Sequence, residues 1–510
     1  MIKRVALIGT GVMGMGIAQI IAQAGIEVSL FDAKDGAARI ARDKLQQTLQ
    51  TLANKGKITE SALAATLEKL VVIDNINAIT QVDLVIEAIV ENLAIKQQLL
   101  QQLEGIIRPD TILATNTSSL SVTSIATVCQ HPERVAGFHF FNPVPLMKIV
   151  EVIASLSTSQ STIDALLALA KRIGHLGVVA KDTPGFIVNH AGRAYSTEAL
   201  KILGEGVATA SAIDRILRDG AGFRMGPFEL FDLTALDVSH PAMESIYNQY
   251  YQDPRYRPHS ITRQMLAGNK VGRKVGQGFY HYVDGKPVNV ETAPSVPTID
   301  LPKQVRIATD LEADCKTLTV FCQSQGINVV NSERSDADCL IILATYGEDT
   351  TTAALRYQVD PSRCVAIDMI TDFDRHRTLM PSLITQSTYL NQAHALFAHF
   401  NKPSDKTGVT IIQESIGFVA QRVLAMVVNL TCDMAAQQIA NVHDIDNAVR
   451  LGLGYPYGPI SWGDKLQSSR MLLILERIHQ ITNDPRYRPS PWLQRRARLG
   501  LSLFFEPNYA

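Results

Sequence analysis

Residues 4–24 read RVALIGTGVMGMGIAQIIAQA, and this stretch decides the fold of the N-terminal part of the chain. It begins with a short apolar run that is typical of a buried parallel strand and ends with a helical pattern. The turn between them has the spacing G-x-G-x-x-G, formed by Gly9, Gly11 and Gly14. Gly9 permits the tight turn, Gly11 lets a pyrophosphate approach the backbone, and Gly14 allows close packing of helix on strand. The free N–H groups at the start of the helix would then face the phosphates.

A second apolar run, residues 27–31, ends at Asp32, which lies 18 residues beyond Gly14. A carboxylate at this position would bind the adenine ribose hydroxyls and repel a 2′-phosphate. The order of strand, glycine turn, helix, strand and acid therefore predicts a Rossmann-like domain that binds NAD in preference to NADP. The alternative is a structural glycine turn followed by a surface aspartate.

A histidine and a glutamate stand in two apolar runs, GFHFF and KIVEV, on either side of the proline-rich connection at residues 142–145. Because phenylalanines around His139 leave little water to stabilise its charge, a nearby carboxylate would tune and orient the ring. A hairpin across the prolines would bring Glu151 beside His139. The alternative is a hairpin in which the two side chains are merely tolerated.

Polar side chains follow the predicted strand at residues 111–115, where the chain reads Asn116-Thr-Ser-Ser119. In an open α/β sheet, ligands bind at the carboxyl ends of the strands. A further predicted strand, residues 135–141, would carry His139 to the same edge. The sequence therefore predicts a site at this edge that includes the polar cluster at residues 116–119 and His139.

The second half of the chain repeats part of the first at an offset of 231 or 232 residues. DPRYRP occurs at 253–258 and again at 484–489, and GFIVN at 185–189 returns as GFVAQ at 417–421. This repetition predicts that a helical domain has been duplicated. In the copy Gln421 replaces Asn189, no HFFNP sequence precedes it, and the preceding α/β-like region has no glycine fingerprint, so we interpret the copy as non-catalytic.

The predicted fold class is α/β: a Rossmann-like dinucleotide-binding domain, an all-helical domain, then a degenerate α/β unit and a second copy of the helical domain. The predicted boundaries are 1–182 for the NAD-binding domain, 183–285 for the helical substrate and dimerisation domain, 286–300 for a linker, 301–408 for the degenerate α/β domain and 409–510 for the second helical domain.

Five motifs carry a family resemblance. The glycine-rich start is followed by AIVEN at 88–92, NTSS at 116–119, HFFNP at 139–143 and TPGFIVN at 183–189. In this order and spacing the motifs resemble those of the 3-hydroxyacyl-CoA dehydrogenases. The resemblance implies NAD-dependent oxidation of an (S)-3-hydroxyacyl-CoA to the 3-oxoacyl-CoA.

The resemblance also implies roles for individual residues. His139 is the implied catalytic base and Glu151 its orienting partner, while Ser118 and Asn189 would position the hydroxyl and thioester side of the substrate. The positions implied to contact the dinucleotide, besides the three glycines and Asp32, are Glu91, Lys96, Asn142 and Lys274. Lys55 matches a lysine near the CoA phosphates or is a solvated surface lysine. Thr48 stands where the family often has a serine, which leaves that CoA contact open.

Composition sets the remaining expectations. The 510 residues are 46% hydrophobic and 19% charged with a net charge of −1, which gives no electrostatic reason to expect nucleic acid or a membrane surface as partner. We expect no apolar run long enough for a membrane span. Six cysteines without a CxxC pair favour a reducing cytoplasm, and no metal ligands are predicted.

The length and the repeat are similar to long bacterial members of the family that act on 3-hydroxyadipyl-CoA in phenylacetate catabolism. 3-Hydroxybutyryl-CoA and general β-oxidation substrates are the alternatives. A dicarboxylic acyl chain would need a cation at its far end, for which Lys201, Arg193 and Arg224 are candidates. Two rival functions are a 2- or 3-hydroxy acid dehydrogenase with a catalytic lysine and an NAD-binding structural relative without turnover. The chain is expected to be a homo-oligomer or a monomer in which the two helical copies form an internal pseudo-dimer.

Overall fold

The computed structural model describes residues 2–330, 339–404 and 406–507. The chain forms two compact units, each built from two segments. The first unit contains residues 1–190 and 437–453, and the second contains residues 191–436 and 454–510. Each unit is therefore interrupted in the sequence by a segment of the other unit. The domain boundaries predicted above remain a prediction.

The strands, in chain order, are β1 (Arg4–Ile8), β2 (Glu27–Phe31), β3 (Leu70–Val72), β4 (Leu84–Glu87), β5 (Ile112–Thr115), β6 (Val135–Phe140), β7 (Ile149–Ala154), β8 (Leu176–Lys181), β9 (His281–Val283), β10 (Lys286–Val288), β11 (Gln304–Thr309), β12 (Asn328–Val330), β13 (Leu340–Ala344), β14 (Cys364–Ile367), β15 (His376–Pro381) and β16 (Gly408–Ile411). The α-helices are α1 (Val12–Gln23), α2 (Ala37–Asn54), α3 (Glu60–Glu68), α4 (Leu93–Glu104), α5 (Val122–Ala126), α6 (Gln160–Arg172), α7 (Val188–Gly204), α8 (Ala210–Arg215), α9 (Pro227–Thr234), α10 (Leu236–Gln249), α11 (Ser260–Ala267), α12 (Glu312–Ser324), α13 (Thr350–Arg356), α14 (Ser387–Phe397), α15 (Val419–Ala436), α16 (Val442–Leu453), α17 (Pro459–Lys465), α18 (Ser468–Thr482) and α19 (Pro491–Leu499).

The first unit is built on an eight-stranded sheet of order β3-β2-β1-β4-β5-β6-β7-β8. All neighbouring strands are parallel except β6 and β7, which are antiparallel. Alternate residues of β1 face opposite sides, so Val5 and Leu7 join one apolar cluster and Ala6 and Ile8 join another. The first cluster includes residues of α1, α2, α3 and α6, and the second includes residues of α4 and α5. Helices on both faces of a largely parallel sheet confirm the predicted Rossmann-like arrangement.

The second unit contains a six-stranded sheet of order β12-β11-β13-β14-β15-β16 and a two-stranded sheet of β9 and β10. In the larger sheet β14 and β15 are antiparallel and the other pairs are parallel. This confirms the predicted second α/β region. Two of its strands, β11 (QVRIAT) and β15 (HRTLMP), carry charged or polar residues among their apolar ones, so the sequence marks them as strands only weakly.

The helix α15 corrects one expectation drawn from the sequence. Its 18 residues have a mean hydropathy of 1.2, which is long and apolar enough to cross a membrane by length and composition alone. In the structure 94% of this stretch is buried inside the protein. Neighbouring helices α17, α18 and α19 pack against it, so the protein itself covers its apolar surface.

Candidate active site

The glycine turn between β1 and α1 has the shape that a phosphate group requires. Gly9 has φ of 97°, and a Cβ there would lie 2.7 Å from the carbonyl oxygen of Ala88. A Cβ on Gly14 would lie 1.9 Å from the carbonyl oxygen of Gly9, so both positions need glycine. Over Gly11, by contrast, nothing lies within 4 Å, and Gly11 caps α1 without a side-chain hydrogen bond. An anion can therefore approach the N–H groups of the first turn of α1.

Asp32 follows the last residue of β2 and is held against the same turn. Its carboxylate accepts hydrogen bonds from the backbone N–H and the hydroxyl of Thr10 at 2.8 and 2.7 Å, and from the Lys34 N–H at 3.0 Å. Partial burial would raise the pKa of Asp32, but these hydrogen bonds hold it below its usual value. The carboxylate is therefore ionised and fixed beside the glycine turn.

A cleft of about 710 Å³ lies beside the turn. Its lining includes Gly11 and Asp32 from the turn region, Thr48 from α2, and Asn142 from the connection between β6 and β7. Lys55 caps the C-terminal end of α2 and is exposed. The cleft thus brings together several residues that the sequence suggested for cofactor or CoA binding.

His139 and Glu151 stand directly opposite each other on the antiparallel strands β6 and β7. His139 Nδ1 and Glu151 Oε2 are 2.6 Å apart, and the two residues are 4% and 0% exposed. The ring of Phe141 lies 4.5 Å from the His139 ring and that of Phe186 lies 5.7 Å from it, centroid to centroid. The proposed hairpin therefore forms, and it places a buried imidazole against a buried carboxylate.

The second oxygen of Glu151 is held by the start of α7. The N–H groups of Ile187 and Val188 both donate to Glu151 Oε1 at 2.9 Å. The first N–H groups of a helix have no partners within the helix, and a carboxylate is favoured there because of the helix dipole. Glu151 therefore links the histidine to the segment that carries Asn189, the next residue of α7.

Ser118 lies in a loop organised by Glu91. Glu91 Oε1 accepts hydrogen bonds from the N–H groups of Ser118 and Ser119 at 2.8 and 3.0 Å and from the hydroxyl of Thr117 at 2.8 Å. The Ser118 hydroxyl is 3.3 Å from the same oxygen. The side-chain amide of Asn189 donates to the Ser118 carbonyl at 3.4 Å. Ser118 and Asn189 are therefore neighbours.

Lys96 supports this loop through its contact with Glu91. It is 1% exposed and donates to both oxygens of Glu87, at 2.9 and 2.8 Å, while its Nζ lies 3.4 Å from Glu91 Oε2. Burial would raise the pKa of Glu91, but the charge of Lys96 and the hydrogen bonds of the loop hold it below its usual value. In this structure Lys96 reaches the site through Glu91, so a direct contact between Lys96 and a dinucleotide stays a prediction.

Sequence reasoning missed Glu87, and it gave Asn116 no role beyond its place in the polar cluster at residues 116–119. Glu87, 1% exposed at the end of β4, holds Lys96 and also accepts a hydrogen bond from the Thr115 hydroxyl. The Asn116 side chain accepts the Phe140 N–H at 2.8 Å and so ties the end of β5 to the end of β6. The sequence did contain a signal for Glu87, because a charged residue ends the apolar run DLVIE at residues 83–87.

Lys274 lies in the second unit, where its ammonium forms an ion pair with the carboxylate of Asp237. Both side chains are about half exposed, at 50% and 42%. The structure therefore gives Lys274 a partner within its own unit, and its contact with a dinucleotide stays a prediction.

The degenerate α/β region of the second unit has a different set of residues at the matching places. Asp368 follows β14 where His139 lies in β6, and its N–H donates to the carbonyl of Thr378 on β15 at 3.0 Å. Burial raises the pKa of Asp368 to about 6. Gln421 donates to Asp368 Oδ1 at 3.1 Å and accepts the Gly347 N–H at 3.0 Å. Asp368 Oδ2 is buried without a hydrogen-bond partner among the described residues. None of these side chains supplies an imidazole.

Comparison with known proteins gives two family matches. The family described as "3-hydroxyacyl-CoA dehydrogenase, NAD binding domain" matches residues 4–183. The family described as "3-hydroxyacyl-CoA dehydrogenase, C-terminal domain" matches twice, at residues 185–282 and 417–502. The second match falls in the predicted copy of the helical domain.

Individual relatives agree with these matches. The chain is 34% identical over 499 residues to the 3-hydroxyadipyl-CoA dehydrogenase of Escherichia coli (strain K12), covering 98% of both chains. It is 40% identical over 279 residues to the 3-hydroxybutyryl-CoA dehydrogenase of Clostridioides difficile. The matched stretch covers 55% of this chain and 99% of that enzyme. Among solved structures, a 3-hydroxybutyryl-CoA dehydrogenase from Escherichia coli K12 matches with a TM-score of 0.84 and 33% identity, over 98% of this chain and 99% of that one.

Proposed function

Because the chain belongs to the 3-hydroxyacyl-CoA dehydrogenase family, we propose that it oxidises (S)-3-hydroxyacyl-CoA thioesters to 3-oxoacyl-CoA thioesters with NAD. The observation that carries the proposal is the buried pair of His139 and Glu151 at 2.6 Å. The pair lies on β6 and β7, in the same sheet as β1, which leads into a glycine turn with an open approach to the helix N-terminus. Base and dinucleotide site therefore share one edge of one sheet.

His139 is proposed as the catalytic base. Its Nδ1–H donates to Glu151, which leaves Nε2 as the unprotonated nitrogen that takes the proton of the C3 hydroxyl. Glu151 then stabilises the imidazolium that forms, because a buried carboxylate interacts strongly with a neighbouring positive charge. NAD, when bound, supplies the acceptor for the hydride that leaves C3.

Ser118 and Asn189 are proposed to position the substrate. Ser118 would donate to the oxygen at C3, and Asn189, at the start of α7, would contact the thioester side. Glu91 supports this role because it fixes the backbone on which Ser118 stands. These residues orient the C3–H bond towards the nicotinamide, which converts binding energy into rate.

NAD fits the residues present. Gly9 and Gly14 provide the close turn, Gly11 leaves room for the pyrophosphate, and Asp32 presents an ionised carboxylate for the ribose hydroxyls. The further contacts proposed for it are Glu91, Lys96, Asn142 and Lys274, and for CoA the contact is Lys55.

We expect the purified protein to reduce NAD when it receives (S)-3-hydroxyacyl-CoA, measured by the absorbance of NADH. The assay should use a panel of thioesters that includes 3-hydroxybutyryl-CoA and 3-hydroxyadipyl-CoA. We propose 3-hydroxyadipyl-CoA as the preferred substrate, supported by a full-length relative with that name. 3-Hydroxybutyryl-CoA is the second candidate, supported by the solved structure that covers the same length. Phenylacetate catabolism is the proposed context for the adipyl substrate.

Each outcome of the panel separates the candidates. A kcat/KM at least about tenfold higher for the adipyl thioester, a difference of about 1.4 kcal/mol, supports the dicarboxylate preference. Equal values for the adipyl and butyryl thioesters remove the basis for it. No NADH with any thioester, in a protein that still binds NAD, would leave a structural relative without turnover.

Of the cations suggested for the far carboxylate, Lys201 already pairs with Glu205 at 2.9 Å.

Replacing Asp32 with alanine should weaken NAD binding before it affects the chemical step. Loss of hydrogen bonds to a charged group costs about 1.5–3 kcal/mol, roughly 10- to 100-fold in the dissociation constant. Discrimination against NADP should also fall, because the carboxylate that repels the 2′-phosphate is gone. Titration of NAD and NADP, followed by NADH fluorescence or calorimetry, measures both effects. The matched control is Asp43→Ala on the exposed face of α2, and equal effects of the two variants would contradict the assignment.

The internal pseudo-dimer is proposed as the state of the helical copies. In the first unit the Lys181 N–H donates to the Ile439 carbonyl at 2.8 Å, and in the second unit the Gln413 N–H donates to the Val207 carbonyl at 2.9 Å. The two donors, Lys181 and Gln413, are 232 residues apart in the sequence, and so are the two acceptors, Val207 and Ile439. This spacing is the offset of the repeat. A twofold interface pairs the same residues reciprocally, and this pair of contacts has that form within one chain.

Six free thiols support the proposed location in the cytoplasm.

A further inference from the structure

The segment 437–453 belongs to the second helical copy by sequence but packs within the first unit. Its helix α16 lies against β7 and β8. The Lys181 N–H donates to the Ile439 carbonyl at 2.8 Å, and the Val179 N–H donates to the Asp444 carboxylate. These bonds fix the position of α16 along β8, next to the strand that carries Glu151.

The last turn of α16 presents Gly452 to Val188. A Cβ on Gly452 would lie 2.8 and 2.9 Å from the two Cγ atoms of Val188 and 3.5 Å from its Cβ. Ordinary contacts of a Cβ begin near 3.4 Å. Val188 is β-branched and has few alternative rotamers, so its side chain cannot swing away. A methyl group on residue 452 would therefore displace the backbone at the start of α7.

That backbone holds the catalytic pair. The N–H groups of Ile187 and Val188 donate to Glu151 Oε1 at 2.9 Å, while Glu151 Oε2 lies 2.6 Å from His139 Nδ1. Glu151 is 0% exposed and His139 is 4% exposed, so bulk solvent does not reach the carboxylate to replace a displaced N–H. A shift of Val188 therefore changes the orientation of Glu151 and, through it, that of the imidazole.

We propose that Gly452, in the non-catalytic copy, is a positioning residue for the His139–Glu151 pair. The second copy thereby has a function in the reaction, because its α16 fixes the N–H groups that hold the catalytic carboxylate. This inference rests on the proposed function of His139 as the base.

The test compares Gly452→Ala, Val188→Ala and the double variant carrying both. Gly452→Ala should lower kcat for oxidation of (S)-3-hydroxybutyryl-CoA by about tenfold, since a displacement of about 1 Å costs up to roughly 100-fold. The KM for NAD should stay within about twofold, because the glycine turn is not touched. Val188→Ala retains its N–H and removes both Cγ atoms, so the double variant should regain kcat to within about threefold of the wild type. Val188→Ile, which enlarges the same contact from the other side, should act like Gly452→Ala.

Two further measurements separate positioning from loss of stability. Arg450→Ala, on the exposed face of α16, should leave kcat unchanged. Alanine forms helices better than glycine. Helix propensity therefore gives no reason for Gly452→Ala to lower the melting temperature of the protein. Hydrogen exchange followed by mass spectrometry should show faster exchange at the amides of Ile187 and Val188 in Gly452→Ala, and normal exchange in the double variant.

The outcomes are distinguishable. A wild-type kcat in Gly452→Ala with unchanged exchange at residues 187 and 188, or a double variant no better than Gly452→Ala, would overturn the proposal. If the wild type reduces no NAD with any 3-hydroxyacyl-CoA, the proposed function fails, and the exchange measurement alone still decides whether Gly452 positions the N–H groups on Glu151.

Discussion

Replacing His139 with glutamine is expected to lower turnover on the order of 10²- to 10⁴-fold, because a neutral amide cannot take the C3 hydroxyl proton. Glutamine retains polar atoms of similar reach, so the packing between β6 and β7 should be preserved. NAD affinity should change little, since the contacts proposed for NAD lie at the glycine turn and Asp32. Single-turnover formation of NADH measures the chemical step, and fluorescence titration measures the affinity.

A second His–Glu pair in the same unit provides the matched control. His131 lies 3.2 Å from Glu133, but the two side chains are 51% and 54% exposed. His131→Gln should therefore leave turnover unchanged, because an exposed pair of this kind contributes little. A His139→Gln variant that kept most of its rate would show that another group is the base.

The local chemistry of this site was predictable because short-range patterns encode it. The glycine spacing, the acid after the second strand, and two apolar runs joined by prolines each specify a turn or a hairpin. The 2.6 Å contact of His139 and Glu151 follows from a hairpin whose register pairs them directly. The apolar runs and the prolines indicated the hairpin, whereas its exact register is seen only in the structure.

Two parts of the structure could not be predicted from the sequence, and both depend on partners distant in the chain. Lys96 is buried between Glu87 and Glu91, and its sequence position on an amphipathic helix gave no sign of a 1% exposure. The segment 437–453 was assigned to the second helical domain by repetition, yet it packs in the first unit. A helical pattern states which face is apolar but not which surface covers it.

The two helical copies meet in the second unit around a buried carboxylate. Glu198 of the first copy is 0% exposed and accepts hydrogen bonds from Arg422 Nε at 2.9 Å and Arg486 Nε at 2.7 Å, both in the second copy. In the reciprocal direction, Arg255 of the first copy pairs with Asp433 of the second. Burial alone would raise the pKa of Glu198, but the two guanidinium charges hold it at about 2.

Replacing Glu198 with alanine is expected to lower the free energy of unfolding by about 3–5 kcal/mol, because it leaves buried guanidinium groups without their carboxylate. The ordinary pKa of 4.5 lies above the folded value of about 2, so the carboxylate stabilises the fold above that ordinary pKa and the contribution is lost as the pH falls towards 2. The difference in melting temperature between wild type and Glu198→Ala should therefore narrow as the pH is lowered from about 5 to about 3.

Calorimetry of both proteins over this pH range tests the expectation, with Glu312→Ala as the control. Glu312 pairs with Lys316 on the surface, where the side chains are 81% and 72% exposed, so its removal should cost less than about 1 kcal/mol. Glu198 and both arginines lie in one chain, so the wild-type melting temperature should not depend on protein concentration. An interface between two chains, by contrast, becomes more stable as the protein concentration rises. A melting temperature that rose with concentration, or a wild-type advantage that stayed constant down to pH 3, would show that the buried cluster does not join the two copies as an internal pseudo-dimer.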